Sequence, residues 1–241
     1  MSAIQLVVFD MAGTTMQDHH EVEQCFARAC RDTGLLVSDE RILALQGYAK
    51  NKVFQLLWGE QIGEAHPEFA KNVTVSYDTF RLILEEYYHT HPILPTEGCL
   101  EIFSFLREQH IKIALTTGFY RKVTNIILDK LGWLDGLDTN HLNTSGKALI
   151  DVSVTSDEVP MGRPEPYLIQ RAMHLLEVSD LQAVINIGDT PSDLESGLRA
   201  GVRLSLGVVN GTHTRQQLSV YRNNGLLPNI AALQEVIKKM G

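Results

Sequence analysis

The chain has 241 residues, 44% hydrophobic and 21% charged, the balance of a folded protein of one or two domains, which excludes intrinsic disorder and a collagen-like repeat. Its 21 Lys and Arg against 29 Asp and Glu leave a formal charge of -8. That excludes nucleic acid as a partner, because phosphate backbones are held by basic surface, and confines any phosphate chemistry to one local pocket.

Residues 1–20 lack the basic start and small-residue cleavage site of a secretory signal, and no apolar run is long enough to span a bilayer, so a cytoplasmic protein without a membrane partner is expected. Ile4 to Asp10 is a short, β-branched-rich run ending in an acidic residue, the pattern of a buried parallel strand. From His19 to about His91 the signals are helical: Val22, Cys25, Phe26 and Ala29 recur at helical spacing, as do Val53, Leu56 and Leu57, then Phe80, Ile83, Leu84 and Tyr87. Cys25, Cys30 and Cys99 match neither a disulfide framework nor a zinc pattern and read as small buried hydrophobes.

After Pro92 and Pro95, helix and strand alternate. Helix is expected at 100–107, 123–131, 165–176 and up to Ala200, and strand at 111–117, 152–155, 183–188 and 203–209. The stretch Leu137 to Leu149 reads as an irregular or hairpin insertion. This pattern predicts an α/β protein: a doubly wound, Rossmann-like parallel sheet core, residues 1–15 and 95–241, with an all-helical cap inserted as residues 16–94. The linkers at Thr15 to Asp18 and His91 to Pro95 would be hinges, and an apolar cap stripe would suit a homodimer.

Ligands of such sheets bind beyond the carboxyl ends of the strands. Four polar stretches fall there: Asp10-Met-Ala-Gly-Thr-Thr15, Thr116-Thr-Gly118, Val159-Pro-Met-Gly-Arg-Pro164 and Gly188-Asp-Thr-Pro-Ser-Asp193. Together they supply what phosphoryl transfer through an aspartyl intermediate requires. Asp10 is the candidate nucleophile, and Asp10 with Asp189 and the carbonyl of Ala12 are candidate Mg²⁺ ligands. Thr117 and Gly118 would hold phosphoryl oxygens, Gly13 would let the chain turn closely around the anion, and Arg163 would supply a fixed positive charge. Arg163 as a surface partner of Glu165 or Asp157 is the plainer alternative. Asp193 is read as a support for the metal or its loop, or as a helix cap. His19 and His20 read as surface, Trp58 and Trp133 as core, and Lys52 and Lys122 as solvated.

These motifs, in this order and behind these strands, resemble the haloacid dehalogenase superfamily of phosphotransferases. Most phosphatases of that kind carry a second aspartate two residues after the nucleophile as general acid, and here that position is Ala12. In this, in Thr117-Gly118 and in Gly162-Arg163-Pro164, the chain resembles the phosphonatase (phosphonoacetaldehyde hydrolase) subgroup. The resemblance implies Mg²⁺, a small phosphonate such as phosphonoacetaldehyde, and a lysine imine in the cap as the electron sink for the departing carbon. Gln46-Gly-Tyr-Ala-Lys50 resembles the subgroup's cap segment, in which a glycine precedes the imine-forming lysine by three residues; this places Gly47 and Lys50, which lies 40 positions after Asp10. Burial and a nearby Arg163 would lower the lysine's pKa.

The chain departs from that subgroup at Gln46, where the subgroup has methionine, at Val53, where it has histidine, and at Phe119, where it has tyrosine. Two further readings therefore stay open at this level. One is a phosphomonoesterase for a small metabolite such as phosphoglycolate or a sugar phosphate, with Lys50 only binding substrate. The other is an inactive phosphate-binding pseudoenzyme.

Overall fold

Six short apolar segments become strands: β1 Leu6–Phe9, β2 Lys112–Thr117, β3 Val152–Thr155, β4 Val184–Gly188, β5 Leu204–Val208 and β6 Gly225–Leu227. The computed structural model describes residues 3–240, so residues 1–2 and 241, the outer ends of the expected core segments, lie outside the described residues. The strands form one parallel sheet in the order β3-β2-β1-β4-β5-β6. Alternate residues of each central strand enter different cores: Val7, Phe9, Ile113, Leu115 and Ile185 on one face, Leu6, Val8, Ala114 and Val184 on the other. Both faces are covered, which is why these strands read as unbroken apolar runs. The winding reverses between β1 and β4, so the loops carrying Asp10 and Asp189 leave the sheet side by side at its switch point.

Between β1 and β2 lie four helices, α1 Glu21–Thr33, α2 Asp39–Ala44, α3 Lys50–Ile62 and α4 Phe69–Thr90, followed by α5 Cys99–Glu108, and residues 20–90 contain no strand. Phe26, Phe54 and Phe80 build their shared centre, with Phe26 and Phe54 stacked at 4.5 Å. Trp58 is core, its Nε1 donating to Ser76 Oγ at 2.9 Å, and Trp133 is buried against Phe103. All three cysteines are buried and free. The linkers to the four-helix segment run together: Gln17 N donates to Leu94 O at 2.9 Å and Thr96 N to Thr15 O at 3.0 Å.

The remaining helices are α6 Arg121–Lys130, α7 Tyr167–Leu175, α8 Pro191–Ala200, α9 Arg215–Ser219 and α10 Leu233–Lys238. Beyond Val209 the sequence reading named no element, yet α9, β6 and α10 form there; β6 has three residues, too few for a periodic signal. Residues 137–149 carry no helix or strand and are tied down instead, Arg107 binding the carbonyls of Ala148 and Leu149 and Asp138 Oδ1 accepting from Leu142 N. Lys122 is exposed, as expected, and its Nζ pairs with Glu85 at 2.6 Å, joining α6 to α4. No helix among the described residues is long and apolar enough to cross a membrane.

Candidate active site

Asp10 stands one residue past β1 and is buried, with 6% of its surface exposed. Asp189 stands one residue past β4, and Asp193 is the third residue of α8. Oxygens of all three carboxylates lie within 4.8 Å of one another. The formal charge of this cluster is met by one cation, Arg163, which is itself buried. Its Nη1 binds Asp10 Oδ1 and its Nη2 donates to the carbonyl and hydroxyl of Thr116 at 2.9 and 2.6 Å. The surface pairing with Glu165 or Asp157 does not form: Arg199 binds Glu165, and Asp157 accepts from Arg121 N.

Each carboxylate is positioned from its own loop. Asp189 Oδ2 accepts from Thr212 N and Thr212 Oγ1, both at 2.7 Å, and Oδ1 from Thr14 Oγ1 at 3.1 Å. Asp193 Oδ2 accepts from Thr190 N and Oγ1 in a capping box at the start of α8. It is thus a helix cap and a neighbour of Arg163 at once; its Oδ1 lies 2.8 Å from Arg163 Nη1 but outside hydrogen-bonding geometry, a buried acceptor left unsatisfied. Gly13, at φ 80°, is packed so closely on the Asp189 carboxylate that any Cβ would overlap it.

Burial, with Asp193 and Asp189 adding repulsion, pushes the Asp10 carboxyl well above its usual range, against the pull of Arg163. Burial and Asp193 raise Asp189 to about 6, opposed by the Thr212 and Thr14 hydrogen bonds. One arginine does not neutralise the cluster. Hard oxygen donors, excess negative charge and an orphaned carboxylate oxygen together fit a small divalent cation such as Mg²⁺.

A cavity opens beside this cluster. Asp10, Ala12, Thr117 and Gly118 line it from the sheet side, and Asp18, Gln46, Gly47 and Lys50 from the helical segment. Lys50 is the first residue of α3, 8% exposed, with Nζ donating to Leu45 O at 3.2 Å and 5.7 Å from the centre of the Phe26 ring. Burial lowers its pKa to about 8, against Glu23 and Asp18. Arg163 takes no part in that shift, contrary to the expectation from sequence; it is committed to Asp10 and Thr116. Lys52 is exposed, and His19 and His20 are surface residues.

The two sides touch through glycines. Ser192 Oγ donates to Gln46 O at 3.3 Å, and a Cβ on Gly47, at φ 78°, would overlap that hydroxyl. A Cβ on Gly118 would sit 2.7 Å from Gly47 O. Gly118→Ala is therefore expected to push the two loops apart, lowering kcat/KM by about tenfold or more while the melting temperature stays within a few degrees. Steady-state kinetics and thermal unfolding check this, and unchanged kinetics would mean that the close approach has no role.

Sequence reasoning missed several residues. Thr212 follows β5, where the reading stopped, although a polar Gly211-Thr212 pair at a strand's carboxyl end is itself a signal. Asp18 was read only as hinge. It lines the cavity, and burial with the neighbouring Glu21 carboxyl raises it to about 8. Glu21, in the first turn of α1, is buried, accepting from Tyr88 OH at 3.2 Å and His19 N at 2.6 Å.

A family model described as haloacid dehalogenase-like hydrolase matches residues 4–201. The phosphonoacetaldehyde hydrolase of Bacillus mycoides (strain KBAB4) is 30% identical, the match covering 97% of this chain and 94% of that protein. Among solved structures, a phosphonoacetaldehyde hydrolase like protein from Oleispira antarctica superposes with a TM-score of 0.80 at 21% identity, over 99% of this chain and 92% of that one. A structure described as a predicted phosphoglycolate phosphatase from Haemophilus somnus 129pt has a TM-score of 0.75 at 16% identity, over 98% and 99% of the two chains. At such identities the two structures speak to the fold alone.

Proposed function

This chain belongs to the haloacid dehalogenase-like hydrolases, and we propose that within them it is a Mg²⁺-dependent phosphonatase acting on phosphonoacetaldehyde or a close small phosphonate. In this reading residues 16–94 are a cap over a core of 1–15 and 95–241. The observation that carries it is one cavity lined by both Asp10 and a buried lysine, Lys50, in a chain with alanine where an acid for a leaving alcohol would stand. A departing carbon needs an electron sink and not that acid. The phosphonoacetaldehyde hydrolases among the relatives support the same substrate.

Lys50, as the free amine, adds to the aldehyde carbon and water leaves, forming an imine. Asp10 then attacks phosphorus. The carbon-phosphorus bond breaks with its electron pair moving into the imine to give an enamine, which takes up a proton at carbon and is hydrolysed to the free aldehyde and Lys50. Water attacks the aspartyl phosphate, releasing phosphate and regenerating Asp10. Thr117 and the Gly118 amide hold phosphoryl oxygens, and Arg163 fixes the Asp10 carboxyl while countering its charge. Asp10, Asp189 and the Ala12 carbonyl, with Asp193 behind them, would hold Mg²⁺, which would neutralise phosphoryl charge when bound.

A phosphomonoesterase reading gains from one observation: Asp18 lines the cavity and, at about 8, is protonated at neutral pH, so it offers a leaving alkoxide the proton that Ala12 does not. A turnover panel with Mg²⁺ separates the two. Phosphonoacetaldehyde is expected to release phosphate faster than phosphoglycolate and sugar phosphates, and EDTA to stop the release until Mg²⁺ is restored. Faster release from the esters would put the phosphomonoesterase first.

A further inference from the structure

Gln46 is 6% exposed, lines the cavity that holds Asp10 and Lys50, and its Nε2 has no hydrogen-bond partner. A buried amide left without a partner is a standing cost, and such groups in folded proteins are nearly always satisfied by something. The backbone around it is fully engaged: Gln46 N donates to Leu43 O, and Gln46 O accepts from Ser192 Oγ. The loop is thus held in place while the side-chain N–H stays unpaired. Of the other side chains that line the cavity, Lys50 has its Nζ on Leu45 O and Val22 has nothing to accept with.

We propose that Gln46 is a specificity-determining residue whose amide donates to a neutral oxygen, a hydroxyl or carbonyl, on the substrate carbon skeleton beyond the reacting carbonyl. The substrate class is then a small phosphorylated or phosphono carbonyl compound with one further oxygen, one more than phosphonoacetaldehyde offers. A neutral oxygen fits better than a carboxylate. Lys50 is the one cation among the residues lining the cavity, and its Nζ is already on Leu45 O, so a substrate carboxylate would meet no uncommitted cation there. The inference rests on the proposed function only in taking this cavity as the substrate site.

Two matched pairs test it, each differing by one hydroxyl: 2-oxopropylphosphonate against 3-hydroxy-2-oxopropylphosphonate, and hydroxyacetone phosphate against dihydroxyacetone phosphate. Affinities are measured by calorimetry with Mg²⁺ in an Asp10→Asn background, so that turnover does not intervene. The hydroxylated member is expected to bind about tenfold to a hundredfold more tightly. That preference should fall to near one in Gln46→Met, which keeps the volume, and in Gln46→Glu, which keeps the shape but loses the donor. A preference confined to the ester pair supports the role of Gln46 and counts separately against the phosphonate reading. Equal binding within both pairs, a preference that survives Gln46→Met, or no binding of any of the four overturns the inference.

Discussion

Asp10→Asn is expected to leave less than about 0.1% of wild-type turnover, because asparagine fills the same space but has no anionic oxygen with which to attack phosphorus. The fold should survive. The Asp10 pKa is raised by burial and by two neighbouring carboxylates, so the sign of the stability effect follows. An acid whose folded pKa lies above its unfolded value favours the fold below the unfolded value, near 3.9, and that advantage is lost as pH rises through the folded value. Above both, the ionised group is a net cost that asparagine does not incur. In EDTA at pH 8 the variant should therefore melt at least as high as the wild type, and the difference should shrink toward pH 4. Arg163 does not become stranded, since Thr116 still accepts from it and Asp193 remains 2.8 Å away. Added Mg²⁺ should reverse the order, stabilising the wild type more, because a cation that binds only the folded state contributes in proportion to its affinity. Residual activity above about 5% on a confirmed substrate would assign the attack to another residue.

How much of this was legible depends on what each signal rests on. Buried parallel strands are apolar on both faces, so β1, β2, β3 and β4 stood out as runs, and the polar residues at or beyond their carboxyl ends were candidates by topology alone. That is why Asp10, Thr117, Arg163 and Asp189, spread over 180 positions of chain, group into one site from sequence. β6 has three residues and half-buried side chains, and nothing periodic announces it. Roles that depend on burial were also hidden. Glu21 and Glu23 share the first turn of α1 and look alike in sequence, yet Glu21 is buried against Tyr88. Asp18 read as linker because its pairing with Glu21 across the turn is a matter of side-chain direction. Gln46 was noticed only as a departure from methionine; that its amide is unpaired is visible only once its loop is folded against Ser192. Asp193 was open between capping and support; the capping box shows the cap, and the Arg163 guanidinium stands beside the same carboxylate.

Lys50→Arg is expected to abolish carbon-phosphorus cleavage, by about a thousandfold or more, although it keeps the charge, because a guanidinium does not lose its proton to become a nucleophile. A lysine is usable here on account of its burial. With its pKa lowered to about 8, about one molecule in ten carries the free amine at pH 7, against fewer than about one in a thousand for an unperturbed lysine. The free amine grows as pH rises, so kcat/KM on an aldehyde substrate should climb up to about pH 8 and level off above it. Asp18 titrates in the same range and opposes the shift; Asp18→Asn removes its charge, and the Lys50 limb should then move to lower pH. Borohydride added with substrate should reduce the imine, inactivate the enzyme and leave a mass increment on the peptide carrying Lys50. Lys52 is the internal control, two residues away but exposed, its Nζ donating to Gln55 Oε1 at 3.2 Å. An adduct found only on Lys52, or full activity in Lys50→Arg, would remove Lys50 from the chemistry and leave the phosphomonoesterase, with Asp18 as its acid, as the reading that the cavity supports.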